Sequence, residues 1–275
     1  MEKTIRVLYY YVLKLPLYKI GSVILFHFDL NNNKARQMTK LSVNINKVAL
    51  IRNSRLSNLP NLVQVAQDCE AYGAQGITVH PRPDERHIRY SDIPALLPVV
   101  KTEFNIEGYP SEQFLQLVEQ NRPAQCTLVP DPPGVLTSNQ GWDTHKQQQL
   151  LKNVIARLHE KGIRVSVFVD PIASFVEGAK EAGADRIEFY TGDYANQYAD
   201  NPAAAVKPHT EAAKVANNVG IGINAGHDLN LDNLKFYKSN VPGLLEVSIG
   251  HALVCDALYY GFQNTIQMYL RQLAP

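Results

Sequence analysis

Residues 76–93 read GITVHPRPDERHIRYSDI, and the kind of strand this stretch opens with decides the fold. Gly76–His80 is a short apolar run of the length and β-branched character of a buried strand. It ends in His80, after which Arg82, Asp84, Glu85, Arg86, His87 and Arg89 follow in quick succession. Seven other runs share the same apolar form: LSVNI (41–45), FNIEG (104–108), CTLVP (126–130), RVSVFVD (164–170), RIEFYTG (186–192), GIGINAG (220–226) and LLEVSIG (244–250). Between them lie stretches of helical period, such as NLVQVAQDCEAYG, SEQFLQLVEQN, HKQQQLLKNVIARLHEKG, SFVEGAKEAG and AAAVKPHTEAAKVANN. Several close on the glycine that a helix C-terminus favours. Eight such strands, each followed by helical sequence, predict an α/β protein folded as a (β/α)8 TIM barrel in one domain over residues 38–275.

In a barrel the C-terminal end of each strand faces the mouth where chemistry is done, and polar residues gather at those ends. Asn44 and Asn46 close the first strand, His80 the second and Glu107 the third. Thr137 and Ser138 follow the fourth, in the long turn-rich loop 131–143. Glu188 and Thr191 lie at the sixth strand, Asn224 and His227 at the seventh, and Gly250 and His251 at the eighth. Proton transfer near neutral pH suits histidine and a carboxyl whose pKa is raised by burial, so His80, Glu107, Glu188 and His227 form the predicted catalytic cluster. The same four as a metal site lack any HExxH-like local spacing. His145, His159 and His209 lie in or beside helical sequence with no partner pattern and read as solvent-facing.

Anionic ligands are expected from the glycine-turn and arginine pattern. SIGHALVCDAL and NAGHDLNLDNL each place a small-residue turn where a helix would start after strands eight and seven, and a helix N-terminus attracts phosphate. Arg52 and Arg55 fall on one predicted helical face, and Arg82 follows His80 by two residues; an arginine fork grips phosphate in a bidentate manner.

The bulk numbers set limits. With 275 residues, 45% hydrophobic and 19% charged, the chain buries a large core. Its 27 Lys+Arg against 26 Asp+Glu leave a formal charge of +1, so no global field recruits nucleic acid or an anionic membrane. Cys69, Cys126 and Cys255 form no CxxC pair and suit free, buried thiols in a reducing cytoplasm. Residues 1–37 read differently: VLYYYVLKLPLYKIGSVILFHF is interrupted by Lys14, Pro16 and Lys19, short of the roughly 18 uninterrupted apolar residues of a membrane span. They are expected to be an extension, or the product of a start assigned too early, outside the barrel.

Taken together and in order, LSVNINKVALIRNSR, GITVHPRPDERHI, FNIEGY, CTLVPD, VSVFVD, IEFYTG, NAGHDL and EVSIGHAL resemble the pyridoxine 5'-phosphate synthase family, from about Leu41 to the C-terminus. The resemblance implies a (β/α)8 barrel with extra helices, assembled as a homo-octamer. It also implies condensation of 3-amino-2-oxopropyl phosphate with 1-deoxy-D-xylulose 5-phosphate, giving pyridoxine 5'-phosphate, phosphate and water. By motif, His80 and Glu107 resemble the general bases, His227 the general acid and Glu188 a stabiliser of charged transition states. Asn44, Arg55, Asp228, Gly250 and His251 match positions that hold the aminoketone phosphate. Asn46, Lys47, Arg82, His87 and Ser138 match those that hold the sugar phosphate. Acid and base groups suffice for such a reaction, so no metal or organic cofactor is implied.

The chain also departs from that pattern. Asn46 and Lys47 stand where the family commonly has Asp and His, Tyr190 where it often has His, and Asp228 where it often has Gly. A carboxylate at 228 would repel phosphate unless it points away and only its backbone N–H contributes. Two other readings remain at this stage: a phosphosugar aldolase or epimerase, for which Lys47 is the only lysine near a strand end, and a non-catalytic phosphate- or B6-vitamer-binding paralogue. The C-terminal stretch HALVCDALYYGFQNTIQMYLRQL reads as one helix whose Leu253, Leu258, Tyr259, Phe262, Ile266 and Leu270 form an apolar stripe that covers the barrel, the preferred reading, or a neighbouring subunit.

Overall fold

The computed structural model describes residues 38–55, 57–131 and 140–274. The expected extension over 1–37 lies outside the described residues, as do Thr137 and Ser138 in the loop after the fourth strand. Eight parallel strands run in order around a closed barrel: β1 (Lys40–Asn44), β2 (Gly76–Val79), β3 (Glu103–Gly108), β4 (Gln125–Leu128), β5 (Arg164–Val169), β6 (Arg186–Phe189), β7 (Gly222–Gly226) and β8 (Leu244–Ile249). Pairing of β1 with both β2 and β8 closes the ring. All eight strands lie where the apolar runs predict them, with no end shifted by more than three residues.

The strands alternate, and the alternation explains what fills the barrel. Val43, Ile77, Ile106, Cys126, Val167, Ile187, Ile223 and Val247 are fully buried apolar residues at one parity. At the other parity stand Ser42, Thr78, Asn105, Thr127, Ser166, Glu188, Asn224 and Glu246, all buried and polar. Since successive side chains of a strand point to opposite faces, the first set packs under the helices and the second fills the barrel. There Ser42 Oγ and Thr78 Oγ1 lie 2.8 Å apart, Asn105 Nδ2 donates to Thr78 Oγ1 at 3.3 Å, and Thr127 Oγ1 donates to Asn105 Oδ1 at 3.1 Å.

Among the described residues eleven helices surround this ring: α1 (Asn46–Asn53), α2 (Leu62–Ala71), α3 (Asp92–Leu96), α4 (Glu112–Asn121), α5 (Gln148–His159), α6 (Ala173–Glu181), α7 (Gly192–Tyr198), α8 (Pro202–Val219), α9 (Leu234–Asn240), α10 (His251–Tyr260) and α11 (Phe262–Leu273). Their starts follow capping chemistry. The Asn61 side-chain oxygen Oδ1 accepts from the N–H groups of Val63 and Gln64, and the Asn201 side chain accepts from Ala204 N–H with Pro202 in the first turn of α8.

Three expectations are corrected. The C-terminal stretch is two helices, broken at Gly261 with φ +74; as a result Leu258 and Tyr259 are 72% and 86% exposed instead of covering the barrel. Cys255 is exposed, while Cys69 and Cys126 are buried. His209 is only 1% exposed: it sits on the inward face of α8, where the Tyr237 hydroxyl meets its Nδ1 at 2.9 Å and Phe189 and Tyr194 pack around the ring. His159 is exposed, as expected, and its Nε2 lies 2.8 Å from Asp185, because the end of α5 returns to the start of β6. His145 is exposed.

Candidate active site

The mouth of the barrel is assembled from the first residues beyond the strands. Asn44 ends β1 and is held by its own turn, its Oδ1 accepting from Asn46 N–H at 3.0 Å. Its Nδ2 points across to Glu107 Oε2 on β3 at 3.5 Å. Asn46, the first residue of α1, uses its side-chain oxygen to accept the His80 N–H at 2.9 Å, so the end of β2 is tied to the end of β1. Gly250 packs closely on Asn44: a Cβ there would lie 3.1 Å from the side chain and carbonyl of Asn44, so a larger residue would require Asn44 to shift by a few tenths of an ångström.

Beyond His80 the loop folds back and brings the His80 and His87 rings to 6.1 Å. The Ile88 N–H donates to His87 Nδ1 at 2.9 Å; that nitrogen is therefore the acceptor, and a neutral ring carries its proton on Nε2. Arg82, buried, reaches Asp131 at 3.2 Å. Between the ends of β2 and β3 lies a cavity of about 280 Å3 lined by His80, Arg82, Asp84, Arg86, Tyr109 and Asp131, among others. On the other side of the mouth His227 follows β7 with φ +24, a left-handed conformation for a non-glycine residue. Its Nδ1 lies 2.7 Å from Asp228 Oδ2 and its ring 6.4 Å from that of Tyr190.

These environments drive the four predicted catalytic groups apart in proton affinity. Burial, then the positive charge of Arg82, holds His80 well below the ordinary imidazole value, so it is neutral at pH 7 and ready to accept a proton. His87 is lowered to about 4 by burial and by Arg82 and Lys47. Burial raises Glu107 to about 7, opposed by His227 and Arg82. Burial and the neighbouring charges of Glu107 and Glu246 lift Glu188 well above the carboxyl range, which leaves it a neutral carboxyl able to donate a hydrogen bond. For His227 the surrounding protein disfavours charge, but the Asp228 bond and the charges of Asp228, Glu107 and Asp131 outweigh it and raise the pKa. Pairs of titratable groups pushed in opposite directions are the pattern of an acid–base site.

Several predicted binding residues sit differently from their sequence reading. Arg52 and Arg55 do not share a helical face: α1 ends at Asn53, Arg55 is exposed beyond it, and Arg52 is buried in a two-pronged pair with Asp92 at 2.7 and 2.9 Å. The anion-ready turn after β7 is also absent, because α9 begins only at Leu234. After β8 it is present, with His251 opening α10 directly behind Gly250. The Asp228 N–H donates to Thr191 Oγ1 at 3.2 Å, and its carboxylate is turned to His227. Ser138 lies outside the described residues. Lys40, a lysine within a strand, opens β1 at the end opposite the mouth and pairs with Glu103 at 2.5 Å, away from where a Schiff base would form. Among the described residues no group of three or more His, Cys, Asp or Glu side chains is arranged to hold a metal ion.

Sequence reading missed Glu246, Asp131 and Arg186. Glu246 helps raise both Glu107 and Glu188, and Arg186 Nη1 reaches Glu246 at 3.5 Å and Asn224 Oδ1 at 3.2 Å. For Arg186 the signal was a polar residue two positions before Glu188 in the same strand; Glu246 lies deeper in β8 and Asp131 beyond the end of β4.

A parallel barrel that brings neutral and charged histidines, two high-pKa carboxyls and a buried arginine to one end is an enzyme scaffold for proton transfer on small anionic molecules. Residues 41–275 match the family model described as "Pyridoxal phosphate biosynthesis protein PdxJ", and the chain belongs to that family. A pyridoxine 5'-phosphate synthase of Cytophaga hutchinsonii is 60% identical over 236 residues, covering 86% of this chain and 99% of the relative. One of Bacteroides fragilis is 60% identical over 232 residues, covering 84% and 98%. The solved thiamine phosphate pyrophosphorylase of Pyrococcus furiosus matches with a TM-score of 0.55 at 11% identity over 86% of this chain and 96% of that one, a likeness of fold alone.

Proposed function

We propose that the barrel closes the pyridine ring of pyridoxine 5'-phosphate by condensing 3-amino-2-oxopropyl phosphate with 1-deoxy-D-xylulose 5-phosphate, releasing phosphate and water. The feature that carries this reading is the division of proton affinity at one mouth: burial holds His80 low, raises Glu107 to about 7 and lifts Glu188 well above the carboxyl range, while the Asp228 contact raises His227. Joining an amine to a ketone, closing a carbon–carbon bond and aromatising the ring moves several protons and expels water, with no net redox step. His80 and Glu107 take protons from the substrates, His227 gives one to a departing oxygen, and Glu188 donates a hydrogen bond to developing charge.

Arg82, Lys47 and His87 hold the sugar phosphate on the β2 side. A dianion there offsets the Arg82 charge that depresses His80, so substrate binding raises the basicity of the base it needs. Asn44, Gly250 and His251 hold the aminoketone phosphate at the N-terminus of α10. The protein works in the cytoplasm as a homo-oligomer; among the described residues no helix is long and apolar enough to cross a membrane.

The test is to mix the purified chain with both substrates and follow pyridoxine 5'-phosphate by chromatography with fluorescence. Product is expected in proportion to enzyme. His80→Asn and Glu107→Gln are expected to bind both phosphates while turning over about 100- to 10,000-fold more slowly; wild-type rates in both variants would remove the assignment.

A further inference from the structure

The turn after β7 is built around one contact that neither the family pattern nor the ring-closing chemistry requires. Thr191 brackets it, donating its hydroxyl to Gly226 O at 2.9 Å while its oxygen accepts the Asp228 N–H at 3.2 Å. Asn233 Nδ2 donates to Asp228 O at 3.3 Å. Below it, Gly226 packs so tightly on β8 that a Cβ would sit 2.0 Å from Ser248 O. The turn is thus fixed on both sides, and between its anchors His227 is held with φ +24 and its Nδ1 2.7 Å from Asp228 Oδ2. A carboxylate only accepts hydrogen bonds, so Nδ1 carries a proton and Nε2 is the nitrogen left to meet substrate.

We propose that Asp228 is a positioning residue for His227: with its backbone held by the Thr191 and Asn233 anchors, its carboxylate accepts from Nδ1–H, which fixes the ring's rotamer and keeps the proton on Nδ1, so that Nε2 is the nitrogen presented to the reaction. The proposal rests on the reading of His227 as the general acid. It gives Asp228 a reason to stand where the family often has glycine, since the carboxylate serves the acid and takes no part in holding phosphate. The other ionisable groups around His227 are Glu107 from β3, Asp131 after β4 with Arg82 beside it, and Tyr190 after β6, which itself faces Asp170 and Asp193. Of these, Asp228 makes the hydrogen bond to the ring.

The experiment follows the His227 imidazole nitrogens by NMR in the full-length wild type, Asp228→Asn and Asp228→Gly, beside kcat and KM as functions of pH. The wild type is expected to show the Nδ1-protonated tautomer above its midpoint. Both substitutions are expected to lower that midpoint by roughly one pH unit. An acid must be protonated to act, so activity falls as pH rises through its pKa; the basic limb of kcat therefore moves to lower pH by the same amount, with KM for both substrates changed less than about twofold. An unmoved midpoint and limb, or a loss expressed in the KM of one substrate, would overturn the proposal, the last making Asp228 part of a phosphate site. His227→Gln separates the two ideas: undiminished turnover there removes the general-acid reading, whereas the midpoint shift in Asp228→Asn reports on the positioning contact alone.

Discussion

Glu107 is stabilised for chemistry at a cost to the fold, and the two effects carry opposite pH signatures. As a base it must be ionised, so kcat/KM is expected to rise with pH through about 7, a limb that Glu107→Gln abolishes. The stability sign runs the other way. The folded value of about 7 lies above the ordinary 4.5, so between these values the unfolded chain binds fewer protons and stability falls as pH rises. A difference of that size corresponds to up to about 3 kcal/mol. Glu107→Gln is therefore expected to melt higher than wild type at pH 8 and close to it at pH 5 in calorimetry. Equal melting temperatures at both pH values would show that burial does not hold a proton on Glu107. His87 behaves conversely: its folded value of about 4 lies below the ordinary 6.5, so its contribution is full above 6.5 and is lost as pH falls toward 4.

At the scale of elements, α1 and α3 hold the loop that carries the sugar-phosphate groups. Arg52 on α1 pairs with Asp92 at the start of α3 and donates to His87 O at 3.2 Å. Asn53 Nδ2 reaches the carbonyls of Glu85, Arg86 and His87, at 3.2, 3.2 and 2.8 Å. Breaking a buried pair by removing one partner costs roughly 3–5 kcal/mol, and Asp92 here is slightly open to solvent. Arg52→Ala is expected to lose about 3 kcal/mol in urea unfolding and to raise KM for the sugar phosphate more than for the aminoketone phosphate. Arg52→Lys should recover little, since one ammonium cannot bridge both carboxylate oxygens and a carbonyl. Unchanged stability in Arg52→Ala would show that the loop is held by Asn53 alone.

The same elements show what sequence can carry. The eight strands were legible because each is a short apolar run followed by a polar residue, and the barrel rule then placed His80, Glu107, Glu188 and His227 at one end. Arg52 was not, because its meaning depends on Asp92, forty positions away, and an arginine beside an anionic site reads as a ligand until its partner is seen. The break at Gly261 was hidden because the apolar stripe runs through it without a change of period. His209 was misread because its partners Tyr194 and Tyr237 come from other helices.

At the scale of the molecule, the covering of the barrel leaves an apolar surface on one side. Leu258, Tyr259 and Tyr260 at the end of α10 and Leu50 and Ile51 on α1 are all exposed, and α10 packs against α1, so these residues share a neighbourhood. Among the described residues this neighbourhood clusters five exposed apolar side chains, and a contiguous apolar patch is a candidate association face. The occupant proposed for it is a second copy of the chain, within the octamer that the family resemblance implies. Closed assemblies repeat a contact at every subunit, so one polar substitution per chain is felt at each copy of the face. Sedimentation velocity of the full chain at micromolar concentration is expected to show an octamer, and Leu258→Asp with Tyr259→Ser a smaller species of unchanged circular dichroism. An assembly that persists in the double variant would place the interface elsewhere on the barrel, and a wild-type monomer at that concentration would remove the oligomer itself.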